Sequence, residues 1–350
     1  MLDKVYKAFG VSGNPEEAVA FGSGLINHTW KIRKDERFYV LQRINEQVFR
    51  EPAAIAFNIN MTAEHLAAMH PDYLFVTPER SVDQQDIFYD AEAGYFRLSP
   101  FVEGSHTIDV VSTPSEAFEA ARQFGLFTRL LGGMNASLLK ITLPDFHNLQ
   151  LRYEQFEKAL LHGNADRIRS SSDSIETIIL HKNIVDVFND IRNNTGFRIR
   201  ATHHDTKISN VLFDESNKGL CVIDLDTLMP GYFISDVGDM MRTYLSPVSE
   251  EEKDFLRISI RDEFFVAIVE GYLGEMKDEL TPVEKNHFVY AGKFMIYMQA
   301  IRFLTDHLNN DVYYGAKYDG HNAVRAGNQL QLLQRLMEKE ELLQGIVARF

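Results

Sequence analysis

The sequence predicts an α+β fold in two lobes, a small front lobe rich in strands and a larger lobe that is mostly helical. Three observations lead there. The chain has 350 residues, and at roughly 150 residues per domain that length corresponds to about two units. Its first hundred residues alternate short apolar runs with Gly, Asn and Asp turns, the pattern of strands. Beyond Val102 the apolar residues recur at the steps of three and four that mark helices.

The front lobe reads in order. Residues 18–21 lead into Gly22-Ser23-Gly24, and strands follow at 29–32 and 38–44. Residues 51–69 form a helix, with Ile55, Ile59, Thr62, Leu66 and Met69 on one stripe. Strands are expected again at 74–77, 85–89 and 95–102. The last contains Pro100, which has no N–H to give a ladder, so the strand ends or bends there. Residues 1–98 are therefore assigned to the front lobe, 99–104 to a hinge and 105–350 to the back lobe. In the back lobe, 114–132, 149–162 and 175–192 read as helices, 163–174 as an exposed Ser-rich loop, and the chain from Phe255 onward as mostly helix.

Charge and composition exclude several classes of partner. The 36 Lys and Arg against 50 Asp and Glu leave a net charge of −14. That balance argues against nucleic acid and against anionic membranes. It has a plain reading as solubility and a functional one as a site for metal cations. No stretch approaches the roughly 20 apolar residues of a membrane helix. The start, MLDKVYKAFG, lacks a secretory pattern. The single Cys221 excludes an internal disulfide or a multi-cysteine zinc site. The expected location is the cytoplasm.

The most informative segment is RATHHDTKISNVLFDESNKGLCVIDLD, residues 200–226. Residues 208–213 and 220–223 are short apolar runs separated by the turn DESNKG, so they form a hairpin. Asp205, Asn210 and Asp224 then fall at the end away from the turn. Two carboxylates and an amide oxygen are hard ligands of the kind Mg²⁺ takes alongside substrate phosphates.

The stretch HHDTKISN (203–210), followed by VID (222–224), resembles the catalytic core of protein-kinase-like phosphotransferases. The segments TLMPG (227–231) and DVGD (236–239) narrow the resemblance to the aminoglycoside phosphotransferase and choline kinase superfamily. Within it, the chain looks most like N-acetylhexosamine 1-kinases. The motifs that carry this are THHDTKISNVLFD (202–214), VIDLDTLMPG (222–231), DVGDMMR (236–242), RFLTDHLNNDVYYGAKYDGHNAVR (302–325), GSGLINHTW (22–30) and YVLQRIN (39–45). The likeness runs from about Phe21 to about Leu336.

The resemblance implies a two-lobed protein-kinase-like fold with ATP between the lobes, one or two Mg²⁺ ions and a small-molecule sugar substrate. It makes Asp205 the catalytic base, Lys207 a charge partner for the transferring phosphoryl group, and Asn210 and Asp224 the metal ligands. His203 would brace the loop. Gly22 and Gly24 would let the backbone approach the phosphates, although an isolated G-x-G is also an ordinary turn. Ser99 and Phe101 would lie against the adenine, with Phe101 equally readable as core. The strand position where such enzymes carry a phosphate-binding lysine reads Gln42, which can donate a hydrogen bond but no charge. On the sugar side the candidates are Asp226, Arg302 and Tyr313. Asp226 is also readable as a further metal ligand or a helix cap, and Arg302 as a surface arginine on a long stem. Asp236 and Asp239 read as braces of the catalytic loop.

Overall fold

The computed structural model describes residues 2–22 and 26–350. The chain opens with helix α1 (Leu2–Ala8), which places Val5, Tyr6 and Phe9 on one side. Strands β1 (Val19–Ala20), β2 (His28–Lys34) and β3 (Arg37–Ile44) follow, then helix α2 (Pro52–Met69) and strands β4 (Phe88–Asp90) and β5 (Gly94–Pro100). The five strands form one antiparallel sheet in the order β1-β2-β3-β5-β4.

Strand alternation decides what each face of this sheet carries. Leu41, Phe96 and Leu98 are fully buried and pack with Val5 and Tyr6 of α1 and with Phe9 just after it. The residue between the last two, Arg97, therefore points to the other face. It lies opposite Gln42 in the β3–β5 register. β5 ends at Pro100, where a residue without an N–H is tolerated. α2 begins with Pro52 in its first turn and buries Ile55, Ile59, Thr62 and Leu66.

The chain continues through α3 (Pro114–Leu130), α4 (Leu149–His162), α5 (Ala165–Ser170), α6 (Ser172–Leu180) and α7 (Asn183–Asn193). Next come β6 (Arg200–Thr202), β7 (Val211–Phe213), β8 (Gly219–Val222), β9 (Met229–Gly231) and α8 (Phe233–Tyr244). α9 (Asp262–Met276), α10 (Pro282–Asn286), α11 (Phe288–Leu308), α12 (His321–Glu338) and α13 (Glu340–Val347) complete it. The structure divides into two compact units. One comprises Met1–Asp109, Leu130–Pro144 and Ser209–Pro230, the other Val110–Arg129, Asp145–Ile208 and Gly231–Phe350. The second unit is built on α11, a helix buried on nearly all sides, against which α4, α8 and α12 pack. Gly238 lets α8 approach it. A Cβ there would come within 2.9 Å of the Met295 Cβ and closer still to the Ala291 carbonyl. Among the described residues no helix is long and apolar enough to cross a membrane.

Five local expectations change. Residues 74–77 form no strand, and the strand expected at 85–89 is only β4. The loop expected at 163–174 is largely helix: Asn164 caps α5, its Oδ1 accepting from the Asp166 and Arg167 N–H groups at 3.0 and 3.2 Å. The capping signal there is the asparagine; Ser171 at the start of α6 makes no side-chain cap bond. The single helix expected at 175–192 is two, broken at His181 and Lys182. In the expected hairpin, residues 208–210 form a 3₁₀ turn, and pairing begins at Val211 opposite Val222.

Candidate active site

In the first unit the β7–β8 hairpin brings the proposed metal ligands to one end. The Ile223 N–H donates to the Asn210 carbonyl at 2.9 Å, so Asp224 emerges beside Asn210. Asp224 is exposed and Asn210 largely buried. Asp224 is left-handed, at φ 58° and ψ 61°, a conformation Asp tolerates better than most residues. It caps the 3₁₀ turn Leu225–Thr227.

Asp226 in that turn is buried and fully engaged. Its Oδ1 pairs with Arg97 Nη1, and its Oδ2 accepts from Asn27 Nδ2 at 2.7 Å. Arg97 Nε donates to Gln42 Oε1 at 2.9 Å, and Gln42 Nε2 donates to Thr29 Oγ1 at 3.3 Å. Burial would lower the guanidinium pKa, but Asp226 and then Asp224 outweigh it and raise the pKa above the usual value. Gln42, where the resemblance expects a lysine, thus joins two strands by hydrogen bonds.

The donor set suits a hard cation. Asn210 and Asp224 offer an amide oxygen and a carboxylate, and Mg²⁺ typically takes one or two carboxylates and completes its shell with water and phosphate oxygens. No group of three His, Cys, Asp or Glu among the described residues could cage a metal alone, so protein side chains would supply only part of the shell.

The nucleotide-side candidates also lie in this unit. Gly22 has φ +83° and open space where a Cβ would stand; a side chain there would be strained. Gly24 lies outside the described residues. Ser99 is half-buried opposite Val40. Phe101 meets the Phe21 ring edge-on at 5.7 Å, and Lys31 Nζ sits 3.7 Å above it. Cys221 is buried, and burial pushes its thiol up to about 12, so it is inert at neutral pH.

In the second unit, β6 feeds the loop that carries Asp205. α8 pins this loop with two carboxylates. Asp236 accepts from the His203 and His204 N–H groups at 3.1 and 2.7 Å, and Asp239 accepts from the Thr206 N–H at 2.9 Å. The Tyr244 hydroxyl donates to the Thr206 carbonyl at 2.6 Å. His203 Nδ1 accepts from the Asp205 N–H at 3.3 Å. Asp205 itself is half-buried and pairs with Lys207 Nζ at 2.9 Å. Desolvation pulls the Lys207 ammonium down, and Asp205 and Asp239 more than offset it.

The bracing carboxylates are tuned by burial. Burial pushes Asp236 up to about 6, against the pull of His203 and the two backbone amides. Burial also raises Asp239, opposed mainly by Arg242. Arg242 bridges Asp239 and Glu250 at 3.1 and 2.9 Å, and Glu250 also pairs with Arg325.

Arg302 and Tyr313 lie together in the second unit. The Arg302 guanidinium donates to Gln299 Oε1 at 3.2 Å and faces the rings of Phe146, Tyr313 and Tyr314 at 5.9, 6.0 and 5.5 Å. Among the described residues no carboxylate is within ion-pair distance of it. Tyr313 is exposed, and Asp306 holds its loop by accepting from the Tyr313 and Tyr314 N–H groups at 2.7 and 2.9 Å. Sequence reasoning missed Arg97, Asn27 and Asp306. A charge inside the apolar run YFRLSPFV was the available signal for Arg97.

Residues 17–282 match the phosphotransferase enzyme family, APH. The chain belongs to that family. Solved structures similar to this phosphotransferase family member share its fold at low identity. An amicoumacin kinase in complex with AMP-PNP, Ca²⁺ and Ami has 13% identity and a TM-score of 0.65, over 95% of this chain and 92% of that one. A microcompartment-associated aminopropanol kinase has 16% identity and a TM-score of 0.62, over 97% of each. A choline kinase from Cryptosporidium parvum Iowa II has 12% identity and a TM-score of 0.59, over 99% of this chain and 96% of that one. The fold is therefore protein-kinase-like, with an antiparallel sheet near the N-terminus and a mostly helical remainder.

Proposed function

We propose that this member of the phosphotransferase family is an ATP- and Mg²⁺-dependent kinase acting on the anomeric hydroxyl of an N-acetylhexosamine, GlcNAc or GalNAc. The product is the sugar 1-phosphate. One observation carries the phosphoryl-transfer reading: Asp205 is half-buried beside Lys207 on a loop whose backbone is pinned by Asp236 and Asp239. A base held this rigidly orients and deprotonates a hydroxyl without reorganising. The AMP-PNP and Ca²⁺ in the amicoumacin kinase structure support a nucleotide and a divalent cation here.

In this reading the sugar hydroxyl gives its proton to Asp205, and its oxygen bonds to the γ-phosphorus as the bond to ADP breaks. Lys207 offsets charge on the transferring group. Asn210 and Asp224 would hold Mg²⁺, which when bound neutralises phosphate charge. Arg302 and Tyr313 would meet the sugar. The aromatic cluster disfavours a quaternary ammonium acceptor, because Arg302 stands among its rings and, among the described residues, no carboxylate pairs with it.

The test is incubation with Mg-ATP and GlcNAc, GalNAc, glucose, galactose, choline, homoserine and kanamycin. ADP release is read together with phosphorus NMR of the product. Phosphate on the anomeric carbon of an N-acetylhexosamine is the expected result. Turnover with another alcohol only would discard the sugar assignment and keep the kinase. No turnover with any would remove the catalytic reading.

A further inference from the structure

We propose that Arg97 is the positioning residue of the turn that carries Asp224: aimed by Gln42, it holds Asp226 and so fixes the backbone that presents Asp224. The proposal rests on reading Asp224 as a metal ligand. It assigns Asp226 to the turn rather than to the sugar.

Burial comes first. The side chains of Arg97 and Asp226 are only 7% and 3% exposed. Charges so far from water persist only when paired and hydrogen-bonded. Here the pairing is complete on the carboxylate side. Arg97 takes Oδ1 and Asn27 takes Oδ2. Asn27 is fixed in turn, because its Oδ1 accepts from the Asn45 N–H at 3.0 Å.

The guanidinium is aimed from its own sheet. Gln42 lies opposite Arg97 in register, so both side chains share a face. The bond from Nε to Gln42 Oε1 sets the plane of the fork, and Nη1 then meets Asp226. A lysine cannot make both contacts from one nitrogen with this geometry.

The turn is pinned on both sides of Asp226. Upstream, the Ile223 N–H bonds the Asn210 carbonyl. Downstream, Asn58 Nδ2 donates to the Leu228 carbonyl at 2.8 Å. Between these anchors Asp224 adopts the left-handed region, a conformation Asp visits more readily than most residues. Asp226 is two residues away, and its side chain anchors the turn on the downstream side.

The experiment uses the double variant Arg97→Met/Asp226→Asn, which removes both charges so that neither is stranded. Three quantities are read: kcat, the KM for the acceptor, and Mn²⁺ affinity by electron paramagnetic resonance in the presence of AMP-PNP. The expected result is a folded protein with kcat about 100-fold lower and Mn²⁺ affinity about 10-fold weaker. A group that acts only through the metal turn leaves the acceptor KM near the wild-type value. Arg97→Lys, which keeps the charge but not the fork, should fall between the double variant and the wild type. A folded double variant with wild-type kcat and Mn²⁺ affinity overturns the proposal. If the double variant does not fold, Arg97→Lys decides, and unchanged kcat and Mn²⁺ affinity in it overturn the proposal. Asp224→Asn separates the two readings. Loss of Mn²⁺ there with retention in the double variant sinks Arg97 alone, whereas retention in Asp224→Asn sinks the metal reading and the proposal with it.

Discussion

Two acidic loops in this chain are held by opposite means. The Asp205 loop is held by its own backbone N–H groups, which donate into Asp236 and Asp239, carboxylates 32 and 33 residues away in sequence. The Asp224 turn is held by side chains from the front sheet, an arginine 129 residues away and an asparagine 199 residues away. In the first case buried negative charge is the anchor, and its cost appears as raised carboxylate pKa values. In the second a buried cation balances the anchor, and no uncompensated charge remains. The loop proposed to present a base beside a lysine is pinned through its backbone, whereas the turn proposed to present a metal ligand is pinned by a charge pair.

Four measurements would break or sharpen that contrast. The largest effect is chemical. Asp205→Asn leaves every brace in place and removes the proton acceptor, so kcat should fall by about 100- to 10,000-fold with circular dichroism and Tm unchanged. Near-normal turnover would remove Asp205 as the base. Next, Arg242→Met leaves Asp239 a buried carboxylate without its arginine, while Glu250 keeps Arg325. It should destabilise the protein by about 3–5 kcal/mol in urea denaturation, and a loss under about 1 kcal/mol would show that Asp239 does not depend on its partner.

The third is a pH effect. The unfolded Asp236 carboxyl titrates at its ordinary value of 3.8, and the folded one at about 6. Between these values the folded chain holds a proton that the unfolded chain has released. This group's contribution is therefore most favourable below the unfolded value and is lost as pH rises through the folded one. Relative to Asp236→Asn, wild-type stability should gain about 2 kcal/mol on going from pH 7 to pH 4. Parallel pH profiles would show that Asp236 does not titrate in this window. The smallest effect is expected from Asn27→Ala, which removes one hydrogen bond to Asp226. A loss of about 1–2 kcal/mol in urea denaturation should leave hydrogen exchange at the His204 and Thr206 amides unchanged. Faster exchange at those amides would mean that the two loops are not independently held.

The same contrast explains what was legible in the sequence. Asp205, Lys207, Asn210 and Asp224 stand in one short run with the hairpin between them, so they could be singled out from spacing. Asp236 and Asp239 were readable as braces because a short helix presents them together. Arg97 was not singled out. Nothing local links YFRLSPFV to VIDLD, and a lone arginine in an apolar strand does not name its partner. The helical α5, by contrast, was misread from composition alone, since Ser, Asn and Asp favour caps and loops alike.

By itself, the amino-acid sequence determined the α+β class, most strands of the front sheet, the β7–β8 hairpin and the residues proposed for phosphoryl transfer. Each follows from patterns a few residues long, where periodicity, turn chemistry and covalent spacing leave few alternatives. The tertiary structure alone decided that Gln42 serves Arg97, that Arg97 serves Asp226, and that Asp236 carries a raised pKa. Those facts depend on which groups lose water together, and desolvation is a property of the packed interior that no local stretch of chain specifies.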